Sequence, residues 1–495
     1  MLQKRFGLAK ITEGEITTPG LLKVGEDIEF RNNSFRFLDF EIERDVLFSP
    51  LFKEREIKIK ESIYLVPNIL TMLRNTRDLV DFTIDLRERI GYDKLLYAPG
   101  TPPHLFPIMV YLGYDLFDNS IEKMDEYSFL GPGRGIDNFS ELMIKQVRIA
   151  LENGNLRELV ESVPNVKAKE ILRYLDMKYY HIQERFYPVW SRTLKAVSLD
   201  SLFRPDIQRW LERLRERYKK PDWAKYLLLI PCSARKPYSE SRSHREMRLY
   251  IKSTMHEVIL TSPLALVPRE LERFYPAQNY DIPVIGHWYE DEKKIIEENL
   301  RWYLENNEYE GIVSFLPESM KFLEKLLNEF GVVQIWGKDF ENLEKETRKL
   351  GYHVPRGKME LENMKSLARF QFGTCEDMLD GAKIKGRYQQ INIWKDGKRL
   401  FGYNPEKGML TLTEESAKCL LSEGKYIVEI DDFYPEGDVF AAGINYASEE
   451  IREGDEVAIA HKNELRGWGI ARMSSWDMVE QRRGKAVKLR GRVKG

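Results

Sequence analysis

Tyr226-Leu227-Leu228-Leu229-Ile230, running into Pro231-Cys232-Ser233-Ala234-Arg235-Lys236-Pro237-Tyr238-Ser239-Glu240-Ser241-Arg242-Ser243-His244, is the stretch around which the chain is organised. Five consecutive apolar residues closed by a proline read as a strand buried on both faces, as in a parallel sheet. Cys232 then stands just past the strand's carboxyl end, where open α/β sheets place their ligand crevices. Ser243 and Glu246 have the spacing of a capping box, so a helix is predicted from there to Thr254, with His244 in its first turn. The unpaired backbone N–H groups of such a turn favour anions. With Arg235, Lys236 and His244 around it, the Cys232 thiol is expected to ionise more readily than a free cysteine. Plainer readings stand beside this one. Free cysteine is among the most buried residue types, the cap alone accounts for Ser243, and Lys236 before Pro237 can be a solvated side chain in extended backbone.

The chain of 495 residues is long enough for about three to four domains. Hydrophobic content of 42% and charged content of 32% describe a folded protein rather than a disordered one. Lys+Arg 77 against Asp+Glu 79 leaves a net charge of −2, so any nucleic-acid surface must be local. The 3 cysteines lie far apart without metal-ligand spacing, which argues for a reducing compartment, against a disulfide framework and against a zinc site. No cofactor is called for. The start, Met1 to Phe6, lacks a signal-peptide core, and no apolar run is long enough to span a bilayer, so a cytoplasmic location without membrane contact is expected. A charge-rich, cysteine-poor composition also points towards a thermophile.

Working outward, the fold class is α/β and multidomain. The first forty residues alternate around turn signals and predict antiparallel strands. Strand, helix and strand patterns follow at Ser62–Val66, Thr71–Ile90, Leu95–Ala98 and Tyr114–Asp118, a rhythm that suggests a barrel-like or half-barrel parallel sheet. Gly131-Pro132-Gly133-Arg134-Gly135 is a surface turn or a phosphate cradle, though not a P-loop. Residues 1–200 form this first domain. Residues 201–335 form a small doubly wound α/β domain around the Cys232 motif. Its proline-broken segment carries Tyr280, Asp281, His287 and Trp288, either lining a base pocket or packing as an aromatic patch. Residues 336–408 are an α+β connector. Residues 409–495 open with a helix capped by Thr413 and continue as evenly spaced short strands, the pattern of a small β-barrel. In its tail, period two places Lys488, Arg490, Arg492 and Lys494 on one face, either a phosphate-tracking row or a lysine-guarded edge. A balanced chain with an unbalanced tail favours nucleic acid.

The spacing Pro231-Cys232-x-x-x-Lys236-Pro237-Tyr238-x-x-Ser241-x-x-His244 resembles the signature of the archaeosine synthases. Gly454-Asp455-Glu456-Val457 and Arg483-Gly484-Lys485-Ala486-Val487 are similar to a PUA RNA-binding domain. Gly14-Glu15-Ile16-Thr17-Thr18-Pro19 and Gly113-Tyr114-Asp115-Leu116-Phe117-Asp118 resemble a tRNA-guanine transglycosylase. That enzyme's Asp-Ser-Gly-Gly motif and zinc cysteines are missing, so the first domain resembles a degenerate, TIM-barrel-like relative, and Asp118 reads as a loop acid rather than a nucleophile. The resemblance implies a tRNA carrying 7-cyano-7-deazaguanine at position 15 as substrate. It implies addition of an amine nitrogen to the nitrile, from free lysine or from glutamine or ammonia, and a radical-SAM partner that splits the adduct. Cys232, Lys236 and His244 are then the expected catalytic residues, with Cys232 as nucleophile and His244 as proton shuttle. Tyr238, Ser241, Asp281 and His287 are expected to bind substrate, and Lys488, Arg490 and Arg492 to bind RNA. A non-catalytic tRNA-binding subunit and a surviving base-exchange enzyme are the alternatives, and a homodimer is open.

Overall fold

The computed structural model describes residues 7–10, 15–30, 34–37, 40–43, 55–123, 138–283, 285–386, 391–480 and 484–493. The chain forms two compact units, Met1–Phe186 and Tyr187–Gly495. The Gly131–Gly135 loop lies outside the described residues.

In the first unit, Gly7–Lys10 pairs antiparallel with Glu15–Thr18, and Ile28–Phe30, Ser34–Phe37 and Phe40–Glu43 form a three-stranded meander. Strands Gly20–Leu22, Leu116–Asp118, Leu95–Tyr97 and Ile63–Leu65 lie side by side and parallel, with Ile57–Lys60 antiparallel at the edge. Successive strands from Ile63–Leu65 are neighbours, joined through helices Thr76–Ile90 and Phe106–Leu112, so the sheet winds one way as a half-barrel. Among the described residues it stops at five strands and does not close. The helix expected over 71–90 is two helices, Ile69–Met72 and Thr76–Ile90, because the Asn75 side chain accepts the Asp78 N–H and starts a new one. Arg87, fully buried, pairs with Asp115 and donates from Nε to the Gly113 carbonyl at 3.0 Å. Gly113 has φ +128°, and a Cβ there would meet Arg87 Nε at 3.3 Å, so glycine is required.

In the second unit the central sheet runs Ala265–Pro268, His256–Thr261, Tyr226–Pro231, Gly311–Leu316, Val333–Trp336, parallel except for the first strand. Leu227 to Ile230 are buried on both faces, as the apolar run predicts. From Tyr226–Pro231 the chain moves to one neighbour, His256–Thr261; from Gly311–Leu316 it moves the opposite way to Val333–Trp336. The connections diverge between these two central strands, and Cys232 sits at that switch point. The flanking helix is Arg242–Arg248, shorter than expected, and its cap is Ser241 rather than Ser243. Ser241 is in extended backbone and accepts the His244 N–H at 3.2 Å, which leaves Ser243 inside the first turn.

Beyond this sheet, helix Arg356–Phe372 packs against a four-stranded antiparallel sheet of Lys383–Lys385, Asn392–Lys395, Lys398–Asn404 and Met409–Leu412. Helix Glu414–Ser422 is capped by Thr413 as expected. A six-stranded sheet ends the chain, with Lys485–Arg492 paired to Glu464–Ala471 and Val439–Phe440. The strand expected over 439–444 is split by the turn Ala441–Gly443. Cys375 and Cys419 are joined in a disulfide with Cα atoms 6.2 Å apart, which corrects the expectation, drawn from cysteine spacing, against disulfides. The two come together only because helix Glu414–Ser422 packs beside the turn after Arg356–Phe372, and spacing does not show that. No helix among the described residues is long and apolar enough to cross a membrane.

Candidate active site

Cys232 carries the only free thiol of the chain's three cysteines and is half-buried, its N–H donating to the Leu260 carbonyl at 3.1 Å. That bond extends the strand pairing by one residue and sets the direction of the side chain. Thr261, at the end of the neighbouring strand, hydrogen-bonds the thiol. Its hydroxyl also contacts the Tyr280 hydroxyl, which lies 2.5 Å from that of Tyr238. Burial pushes both phenols up, so they stay protonated donors. Burial also pushes the Cys232 thiol up, outweighing the Thr261 hydrogen bond and the Lys236 charge. The expected fall in thiol pKa is therefore reversed: Cys232 rests as a thiol.

Lys236 is the one expected cation whose charge acts on the thiol. Its Nζ lies 3.8 Å from the Tyr280 ring centroid, and burial lowers its pKa against the opposing charges of Cys232 and Asp281. Arg235 is exposed and faces Glu240 at 3.9 Å.

His244 is 2% exposed and has both ring nitrogens occupied. Nε2 lies 3.0 Å from the Pro231 carbonyl, and Arg269 Nη2 donates to Nδ1 at 2.8 Å. Burial first, and the Arg269 charge second, push its pKa down to about 4, so the ring is neutral. Its face stacks on Tyr238 at 5.8 Å. Arg269 has no counterpart in the sequence expectations. It donates from Nε to Glu257 at 2.8 Å and from Nη1 to Glu272 at 2.7 Å, and Glu272 accepts the Ser239 N–H at 2.9 Å. Burial works against the charge on Glu257, yet Arg269 holds that carboxyl below its usual range. One guanidinium thus ties the loop after Cys232 at His244 and, through Glu272, at Ser239. No local pattern around Pro268-Arg269-Glu270 signals this, because its partners come from three separate segments.

Of the residues expected to bind substrate, Tyr238 is fully buried and Ser241 is spent on its helix cap. Asp281 is exposed on the short strand Tyr280–Asp281, and its charge acts on Lys236. His287 is exposed on the segment before helix Glu290–Asn306 and shares no contact with the thiol cluster among the described residues. In the first unit, Asp118 accepts from Tyr97 Oη at 2.8 Å, the Gly100 N–H at 3.0 Å and the Ser120 N–H at 2.8 Å. Both its oxygens hold loops, the role of a structural acid.

On the tail strand, Lys488, Arg490 and Arg492 are exposed on one face, as period two predicts, and Lys494 lies outside the described residues. Acids from elsewhere meet the row: Arg490 pairs with buried Glu456, Arg492 lies 3.9 Å from Glu436, and neighbouring Lys485 lies 3.2 Å from Asp438. Burial raises Glu456 to about 7 in spite of Arg490.

Residues 429–493 match the PUA domain model, and residues 207–346, which hold the Cys232 motif, match a domain of unknown function (DUF5591). Fold and site together define a mixed α/β protein that ends in a PUA domain. The chain is 35% identical to archaeosine synthase subunit alpha of Thermoplasma acidophilum over 99% of both chains. It is 31% identical to the protein of the same name from Methanosarcina acetivorans, covering 89% of this chain and 81% of that one. It is 27% identical to the tRNA-guanine(15) transglycosylase of Methanobrevibacter smithii, over 72% of this chain and 54% of the other. The chain belongs to the archaeosine synthase family.

Proposed function

We propose that this chain modifies tRNA in archaeosine biosynthesis by adding an amine, with lysine as the donor, to the nitrile of 7-cyano-7-deazaguanine at position 15. The observation that carries the reading is Cys232, unbonded at the switch point of the central sheet, with the Lys236 amine and the Thr261 hydroxyl at hand. A nitrile carbon is a weak electrophile towards a neutral amine, and a thiol divides the step in two. The Cys232 sulfur bonds to the nitrile carbon while its proton passes, through Lys236, to the nitrile nitrogen, giving a thioimidate. The donor amine then bonds to that carbon, the carbon–sulfur bond breaks, and a proton from the amine returns to sulfur. The product is a substituted amidine, with no leaving group and no change in oxidation state. Thr261 and the protonated phenols of Tyr280 and Tyr238 supply donors for nitrogen as its negative charge develops.

In this reading His244 is a positioning residue, because a proton shuttle needs a free nitrogen and both of its nitrogens are engaged. The half-barrel of the first unit serves as a degenerate transglycosylase-like shape for RNA docking, and a radical-SAM partner splits the lysine adduct. The test incubates cyano-substituted tRNA with the protein and lysine, glutamine or ammonium in turn, followed by mass spectrometry of the nucleosides. A lysine-mass adduct that forms with wild type and not with Cys232→Ala is expected. Full activity of Cys232→Ala removes the covalent route, and no new nucleoside with any donor removes the reaction.

A further inference from the structure

A cleft of about 1550 Å³ opens within the Tyr187–Gly495 unit, and one of its walls belongs to the Cys232 motif loop. That wall carries Glu240, ion-paired to Arg273, and Arg356, Arg399 and Arg490 line the cleft as well. Small-molecule sites run from about 300 to 1,000 Å³, so an open cleft of this size suits a stretch of polymer better than a metabolite. Guanidinium forks match phosphate geometry, and four of them along one cleft have the chemistry of a phosphodiester track. Tyr403 and Asn404, also in the lining, add a stacking face and an amide.

The charges differ in how they are held. Arg273 pairs with Glu240, Arg490 with Glu456, and Arg356 with Glu360 at 2.7 Å. Arg399 has no carboxylate partner among the described residues. It lies on strand Lys398–Asn404 and folds back across Gly402, where a Cβ would fall 2.3 Å from its Nη2. The bare glycine therefore makes a seat for this guanidinium beside Thr411. Arg356 is 87% exposed, and an ion pair so exposed contributes little, so a phosphate can replace Glu360 at little cost.

We propose that this cleft seats the sugar–phosphate backbone of the RNA substrate, with Arg399 as its free cation. Arg490, on the tail strand, then marks the end of the cleft nearer the PUA domain, and Arg273 and Glu240 the end at the Cys232 motif. The proposal rests on the tRNA reading above, so its test uses unmodified tRNA transcript, whose binding needs no chemistry. Anisotropy titrations of the full chain are run over a salt series for wild type, Arg399→Gln, Arg356→Gln and Gly402→Ala, with Lys488→Gln for comparison and thermal melts to confirm folding. Each lost phosphate contact is expected to lower the magnitude of the log K against log salt slope by about 0.7–0.9. Arg399→Gln is expected to weaken binding about 3–10-fold at low salt, and Gly402→Ala to weaken it with total charge unchanged. Unchanged affinity and slope in folded Arg399→Gln and Arg356→Gln overturn the proposal. So does loss confined to Lys488→Gln. A wild-type chain that binds no tRNA overturns the tRNA reading itself.

Discussion

His244 decides whether the motif works by proton shuttling or by geometry, and its titration separates the two. The ring's ordinary pKa of 6.5 falls to about 4 in the folded chain. A gap of about two and a half pH units, at ~1.4 kcal/mol each, is about 3 kcal/mol. The sign follows from which state binds the proton. Above pH 6.5 the ring is neutral folded or unfolded, and its contribution to stability is fully present. As pH falls from 6.5 to 4 the unfolded chain takes up a proton that the folded ring refuses, so stability is lost through that window and no further below it. The assay is proton-detected NMR of the histidine ring signals over pH 4–8 in wild type and His244→Gln, which identifies one signal of the 7 histidines by its disappearance. That signal is expected not to titrate above pH 5. In the variant, kcat is expected to fall because the Pro231 tether is lost, while the limbs of the pH–rate profile stay where they are. A His244 signal with its midpoint between pH 6 and 7 refutes the reasoning, since such a ring is solvated and free to carry protons.

Three further expectations follow from the same charges and links. Alkylation of Cys232 by iodoacetamide is expected to be slow at pH 7 and to climb through pH 9, because burial holds the thiol above its ordinary 9.0; a rate that levels off below pH 8 contradicts this. Glu456, raised from 4.5 to about 7, makes stability fall with rising pH between those values by about 3 kcal/mol, opposite in sign to His244 over nearly the same window. Wild type is thus expected to show little net slope from these two groups, Glu456→Gln a rising one and His244→Gln a falling one, in urea titrations across pH 4.5–7; parallel curves for all three refute the assignment. For the disulfide, a closed loop spanning a separation of 44 residues gives a chain-entropy stabilisation of at most about 4 kcal/mol, so Cys419→Ser is expected to lower the melting temperature of the Tyr187–Gly495 unit. Three titratable thiols in denatured, unreduced protein rule the link out.

How much of this was legible in the sequence depends on how far each interaction reaches along the chain. The Tyr226–Ile230 run identified a central strand because burial on both faces is a local property of composition, and Cys232's place at the sheet end came with it. The tail's cationic face was equally legible, since a period of two needs only neighbours. The cap at Ser241 was missed because two serines two residues apart both satisfy the local rule, and the backbone at Ser241 decides between them. The thiol's direction of shift was misread for a larger reason. Counting Arg235, Lys236 and His244 as three nearby cations assumes that proximity in sequence is proximity of charge. In the folded chain Arg235 faces solvent and Glu240, His244 is neutralised by burial and by Arg269, and of the three only Lys236 still joins the Thr261 hydrogen bond in opposing desolvation.

This correction changes what the motif is for. A site built to lower a thiol pKa would set His244 as an imidazolium beside the sulfur. Here the imidazole joins the Pro231 carbonyl to Arg269 and fixes the backbone one residue before Cys232. Burial holds the sulfur protonated, and Lys236, its own pKa lowered, is the cation whose charge acts on it. A protonated resting thiol is also poorly reactive towards stray electrophiles. The requirement for a hydrogen-bonded loop then explains the spacing of the motif better than a requirement for nearby charge does. Ser241 and His244 are three residues apart because one caps the turn that the other must enter, and Tyr238 precedes them because its ring supports the imidazole.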